Sequence, residues 1–160
     1  MGQFIYPKAP LGERLGAYVV DAIIAIGPVI MAAILNYLFP AVVQSPTTRT
    51  INMIATIAWA IYYGFTKDAQ GNGQSIGKKI FGLMVVNLKT HRPCSLGQSI
   101  GRAAVPFLLD LIPLIGWLIE PIVAVASRDG RRIGDDVAGT QVIRASLYES
   151  MNAVDAGAPD

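Results

Sequence analysis

From Leu15 to Phe39 the chain is apolar at nearly every position, and Asp21 is the one charge inside the run. As a helix rising about 1.5 Å per residue it spans about 37 Å, more than the ~30 Å hydrocarbon core of a bilayer. A tilted transmembrane helix over residues 14–39, ending before Pro40, is therefore predicted. Its apolar core exceeds the h-region of a cleaved signal and is interrupted by Pro28 and Asn36, so an uncleaved anchor is expected. Ser45-Pro46-Thr47-Thr48 supplies a capping hydroxyl and an early proline, which start a second helix over 47–66. Trp59, Tyr62 and Tyr63 near its end are amphipathic rings of the kind that gather at a membrane interface.

A polar, glycine-rich loop, Lys67-Asp68-Ala69-Gln70-Gly71-Asn72-Gly73, follows. Ile80 to Leu88 is apolar but too short to span as a helix and is expected to be extended or interfacial. Ser95 is placed to cap a third helix that begins amphipathic around Arg102 and becomes apolar from Ala103 to Ala126. Pro113 and Gly116 break it, giving predicted helices over 96–112 and 114–127. A short β-like run, Thr140 to Arg144, closes a membrane domain of residues 1–144, and the alanine- and acid-rich tail 145–160 is expected to be disordered.

Composition agrees with a bilayer location. Charged residues make up 15% of the chain and hydrophobic ones 52%, with a mean hydropathy of +0.46. An ordinary soluble domain carries about 25% charged residues. The placement of lysine and arginine decides topology. If residues 103–126 cross once, eight basic residues share the N-terminal side and five the other. If the chain turns back at Pro113 to Gly116, twelve lie on one side and only Arg49 on the other. The expected fold class is thus an all-α membrane protein with two full transmembrane helices plus a broken helical hairpin or, failing that, a kinked third span. Short cytoplasmic β-like segments complete it. A bacterial plasma (inner) membrane location with a cytoplasmic N-terminus follows.

The candidate chemistry is carried by charges inside apolar helices. Arg14, Tyr18 and Asp21 fall at i, i+4 and i+7 on one helical face, with Arg14 and Asp21 separated by a rise of about 10 Å, too far for a direct pair. Each needs a partner on another element, from Asp135, Asp136, Asp110, Glu120 or the arginines at 128, 131 and 132. Two readings stand side by side: a structural clamp, or a proton or cation site whose carboxylate is tuned by burial and neighbouring arginines. Asp110 and Glu120 flank the Pro113 to Gly116 break, where an unwound backbone at membrane depth binds ions in transporters; interfacial snorkelling is the plainer account.

Gly71 to Lys79 superficially suggests a phosphate loop but has Asn72 where the first glycine is needed and Lys79 where serine or threonine is needed. Lys78 and Lys79 are read instead as basic residues facing anionic lipid. The peptide Gln-Ser-Ile-Gly-Lys/Arg occurs at 74–78 and 98–102, with too little match around it to define a repeat. His91 is the only histidine and Cys94 the only cysteine, so no metal site, cofactor or catalytic set is expected, and no enzymatic role.

Three stretches resemble a known family: Arg14 with Asp21, Gly77-Lys78-Lys79-Ile80-Phe81-Gly82-Leu83-Met84-Val85-Val86, and Asp135-Asp136-Val137-Ala138-Gly139-Thr140-Gln141-Val142. Together, over residues 10–144, they are similar to the RDD family of small membrane proteins, named for one arginine and two aspartates. Position by position these match Arg14, Asp21 and Asp135, while Asp136 falls where the family varies. Gly134 stands where a histidine often precedes the aspartate, so any proton-handling role of that imidazole does not carry over. The resemblance implies that the three residues act together and that the protein transports a small ligand, with cation/proton exchange in some members.

Two functions are therefore expected as alternatives. One is a transporter or transporter subunit for a small ion, homo-oligomeric or assembled with other membrane subunits. The other is a non-transporting accessory or assembly subunit of a larger complex, packing through the small residues Gly12, Gly16, Ala17, Ala22, Ala25 and Gly27. The lipid bilayer is a partner in both, and nucleic acid in neither.

Overall fold

A computed structural model describes residues 6–40, 45–109, 122–123, 126–127 and 130–157. The protein is mostly helical. Helix α1 (Leu11–Leu38) carries Pro28 in its interior and is long and apolar enough to cross a membrane. Helix α2 (Pro46–Thr66) starts where predicted: Ser45 Oγ accepts from the Thr48 amide at 3.1 Å, and Pro46 occupies the first turn. It is long enough to cross but less apolar, because Thr47, Thr48, Arg49, Thr50, Asn52 and Thr56 fill its first half. Of the expected two full spans plus a third, one helix among the described residues, α1, is long and apolar enough to be a candidate span.

Large apolar side chains are exposed along both helices, among them Leu15, Val19, Ile23, Ile26 and Ile30 on α1 and Ile51, Ile54, Ile57 and Ile61 on α2. Water does not stabilise such a surface, whereas acyl chains do.

A 3₁₀ turn (Lys67–Ala69) and a short helix α3 (Ile76–Ile80) lead into strand β1 (Leu83–Asn87). Strand β2 (Thr140–Arg144) pairs with it antiparallel, Leu83 opposite Arg144 and Asn87 opposite Thr140. The short β-like segments expected beside the helices are present, and they pair with each other into a two-stranded sheet that carries the best-buried core. The run Leu83–Val86 is continuously apolar because both faces of the sheet are covered. Leu83 and Val85 pack with Ala9, Ala17, Cys94 and Val142 on the α1 side, while Met84 and Val86 pack with Tyr6 and Ile143 on the other.

That second face is closed by α6 (Ala145–Gly157), whose Leu147, Tyr148 and Met151 sit one helical turn apart or adjacent. The tail expected to be disordered is thus corrected to a helix over most of its length. Its acids masked a short apolar stripe that the sheet recruits.

Helix α4 (Leu96–Leu109) opens with a reciprocal cap: the Gln98 amide donates to Ser95 Oγ at 3.4 Å and the Ser95 amide to Gln98 Oε1 at 3.0 Å. The predicted break at Pro113 to Gly116, with Asp110 and Glu120, lies outside the described residues. Two residues, one on either side of that stretch, contact elements near the start of α1 or the end of the chain. Before it, Arg102 reaches Asp135 on α5 (Ile133–Val137); after it, Ser127 accepts through its carbonyl from Lys8 at 3.3 Å.

Cys94 lies in the loop between β1 and α4, buried against the sheet with its thiol on the Ser95 carbonyl at 3.4 Å. Burial pushes the thiol up to about 11. A raised value means that the native fold favours the neutral thiol, a preference present below about pH 8.5 and lost as pH rises toward 11. At pH 8 the protein in mild detergent is expected to react with a maleimide roughly 100-fold more slowly than after denaturation, from thiolate fraction alone. Equal rates before and after denaturation would contradict the buried placement.

Candidate functional site

Asp21 lies nearly three turns into α1 and is 2% exposed. Its carboxylate is held from three elements. Oδ1 accepts from Tyr63 Oη at 3.0 Å and from the Gly77 amide at 2.9 Å, and Oδ2 accepts from Ser75 Oγ at 2.6 Å. Lys67 Nζ stands 3.8 Å from Oδ2. The amide contact exists because α3 runs hard against α1 at Gly77, where any Cβ would overlap the Ala17 carbonyl. Trp59 stacks on Tyr63, ring centroids 5.7 Å apart, and fixes the phenol that reaches Asp21.

A second buried network lies beside the first. Asp68, at the end of α2, accepts from Lys78 and lies 3.5 Å from Arg102 Nε. Arg102 continues to Asp135 Oδ1 at 2.7 Å, and Arg14 stands 3.9 Å from Asp135 Oδ2. Arg14 also donates to the Gly130 carbonyl, and the Arg132 amide to Asp135 Oδ2 at 3.1 Å. Burial pushes the Asp68 carboxyl up, but Lys78, Arg102 and Lys67 outweigh it and hold the group well below the usual carboxylate range. Burial pushes the Lys78 ammonium down, against the pull of Asp68.

The three residues singled out by the resemblance are therefore brought to one region but not into one cluster. Arg14 and Asp135 meet, while Asp21 takes its donors from Tyr63, Ser75 and Gly77. All three line a single cavity of about 350 Å³. Tyr18 lines the same cavity yet is itself more than half exposed. Asp136 faces outward and pairs with Arg131 at 3.1 Å. Asp110 and Glu120 lie outside the described residues. Lys79 is exposed, whereas Lys78 is corrected: it is 5% exposed and turned inward onto Asp68. A buried carboxylate draws it away from headgroups, because an uncompensated Asp68 would cost more than one lipid contact returns.

Asp68, Arg102, Ser75, Tyr63 and Lys67 were not expected in the site. One signal could have found two of them. In the twin Gln-Ser-Ile-Gly-Lys/Arg peptides both serines and both cations are buried while both isoleucines are exposed. The two cations, Lys78 and Arg102, converge on the same Asp68. Serine at i and cation at i+3 share a helical face, so each copy docks in the same manner.

Gly134 lies against the Arg102 carbonyl so closely that a Cβ would overlap it. The absence of a side chain at this position lets α5 approach α4 and bring Asp135 to Arg102.

Residues 8–139 match the RDD family. An uncharacterized protein of Haemophilus influenzae is 33% identical over 94 residues, 59% of this chain and 56% of that protein. Uncharacterized protein YxaI of Bacillus subtilis is 32% identical over 91 residues, 57% of this chain and 56% of that protein. The matched region thus spans about half the length of each relative. No solved structure matches. With Arg14, Asp21 and Asp135 all inside the matched region, the chain belongs to the RDD family.

Proposed function

We propose that the protein is an integral membrane subunit that moves a small charged ligand along the seam between α1 and α2, as part of a homo-oligomer or with other membrane subunits. The observation that carries this reading is a pair of cavities at opposite ends of that seam. One, of about 350 Å³, has the charged floor described above. The other, of about 690 Å³, is lined by Asn36, Arg49, Asn52 and Thr56 among apolar residues. Between them Trp59 Nε1 donates to the Ile24 carbonyl at 3.3 Å. Polar lining in two apolar helices is costly in lipid and is found where a pathway needs it.

A second full span by α2 and a cytoplasmic N-terminus in a bacterial inner membrane fit this arrangement. The twelve-to-one distribution of basic residues favours a chain that returns to its starting side after α4, and the contacts Arg102 with Asp135 and Lys8 with Ser127 support the same path.

Reconstituted vesicles holding a pH-sensitive dye, under imposed sodium, potassium or phosphate gradients, test the reading. Flux above protein-free vesicles is expected. It should fall by at least about fivefold in Gly64→Leu, which fills the 350 Å³ cavity from a position with open space beside it. Flux no greater than that of protein-free vesicles for all three ions would end the transport reading.

One observation favours the accessory role instead. Asp21 is saturated by fixed donors and behaves as a latch, which a non-transporting assembly subunit would need and a proton-exchanging site would not. A stoichiometric membrane partner that co-purifies with an inactive protein would favour that role.

A further inference from the structure

The charged cavity has a sign. Arg14, Lys67, Lys78, Arg102 and Arg132 line it against three carboxylates, those of Asp21, Asp68 and Asp135. Among the described residues its wall therefore carries an excess of positive charge, and Asp21, Asp68, Lys78, Arg102 and Asp135 on that wall are buried. Such an excess attracts an anion and repels a cation. Three of the five cations are guanidinium groups, whose forked donors match phosphate oxygens better than a point ammonium does. The cavity also opens sideways. Tyr18, Ile61 and Phe107 line it and are 56%, 53% and 53% exposed, on the apolar outer surfaces of α1, α2 and α4. A ligand seated on the charged floor thus has an apolar exit that a purely soluble anion does not use.

We propose that this cavity binds the phosphodiester headgroup of an anionic membrane phospholipid, with an acyl chain leaving past Tyr18, Ile61 and Phe107. The proposal names what occupies the cavity and does not require that the occupant be transported. Basic pockets between membrane helices are places where anionic headgroups bind, and a volume of about 350 Å³ lies within the range of small-molecule sites. The headgroup sits against the charged wall beside Arg14, Arg132 and Asp135, and its negative charge offsets part of the surplus.

Native mass spectrometry of the detergent-solubilised chain, equilibrated with equal amounts of phosphatidylglycerol and phosphatidylcholine, provides the test. Retention of phosphatidylglycerol over phosphatidylcholine by roughly tenfold or more is expected, a difference of about 1.4 kcal/mol by the affinity relation. Arg132→Gln, which removes one surplus charge, and Gly64→Leu, which occupies the cavity from an open position, should each abolish the preference. Equal retention of the two lipids by the wild type, or an undiminished preference in Gly64→Leu, would overturn the assignment. Glycerol 3-phosphate and inorganic phosphate form the second arm. Failure of either at millimolar concentration to displace the lipid supports an amphiphile, whereas full displacement by either would show a free-phosphate site and reject the acyl-chain half. Binding without flux would end the transport reading and leave this one standing.

Discussion

Asp68→Asn is expected to destabilise the protein by about 3–5 kcal/mol, the cost of breaking a buried ion pair by removing one partner. Asp68 is 7% exposed, and its two cations, Lys78 and Arg102, are 5% and 6% exposed. Removing the carboxylate leaves Lys78 buried without its anion and Arg102 dependent on Asp135 alone. The amide cannot replace the lost charge, although it nearly matches the shape. Unfolding in mixed micelles, followed by loss of the monodisperse species, measures the effect. Coupling Asp68→Asn with Lys78→Met should recover part of the loss, because an apolar side chain of similar length removes the stranded ammonium. A double variant no more stable than Asp68→Asn would mean that Lys78 reaches solvent or headgroups in the native state.

The same pair sets an acid limit. Because Asp68 is held below its ordinary range in the fold, its contribution is fully present above the unfolded value of about 4. It is lost as pH falls below that value toward the lower folded one. Stability should therefore be flat in this respect near neutrality and decline in acid, and Asp68→Asn should flatten the acid limb.

Why some of this was legible in the sequence and some was not follows from the physics of each element. The run from Leu15 to Phe39 shows itself by length and apolarity, and the starts of α2 and α4 by Ser45 and Ser95, whose hydroxyls act locally. The strand at Thr140 to Arg144 was visible too. Its pairing with Leu83–Asn87 was not, since periodicity records which face is buried and not by what. The tail failed for a related reason. Its apolar stripe of Leu147, Tyr148 and Met151 is too short to imply a helix unless the sheet face it covers is known.

In the site, Asp21 was legible because a charge in an apolar helix demands an explanation, whereas Asp68 sits in a polar loop where a carboxylate demands none. Lys78 was misplaced for the same reason: beside Lys79, it reads as one more surface charge. Their burial is a long-range fact, made by the docking of α3 and α4 around the end of α2. The twin peptides were the local trace of that docking, and their value lay in the shared burial of serine and cation rather than in overall similarity.

Asp21→Ala is the second large effect, and its contrast with Asp21→Asn separates a latch from an ion site. Alanine removes both acceptor oxygens and strands three donors, Tyr63 Oη, Ser75 Oγ and the Gly77 amide. Each buried donor left unsatisfied costs about 1–3 kcal/mol, so a loss of roughly 3–5 kcal/mol is expected after partial relaxation. Asparagine is different. Its single amide oxygen can keep the two bonds that Oδ1 accepts, from Tyr63 and Gly77, and its NH₂ can donate to Ser75 Oγ, which changes from donor to acceptor. The charge, the 3.8 Å approach of Lys67 and the acceptor of the Ser75 hydroxyl are lost. Asp21→Asn should then cost about 1–2 kcal/mol, less than alanine because two of the three donors keep their acceptor. Thermal unfolding of the two variants in the same detergent measures the gap. If asparagine proves as damaging as alanine, the negative charge itself holds the site together, and Lys67 matters more than the three hydrogen bonds. If instead Asp21→Asn folds like the wild type while vesicle flux disappears, the carboxylate acts on the moving ligand and the latch is only half of its role.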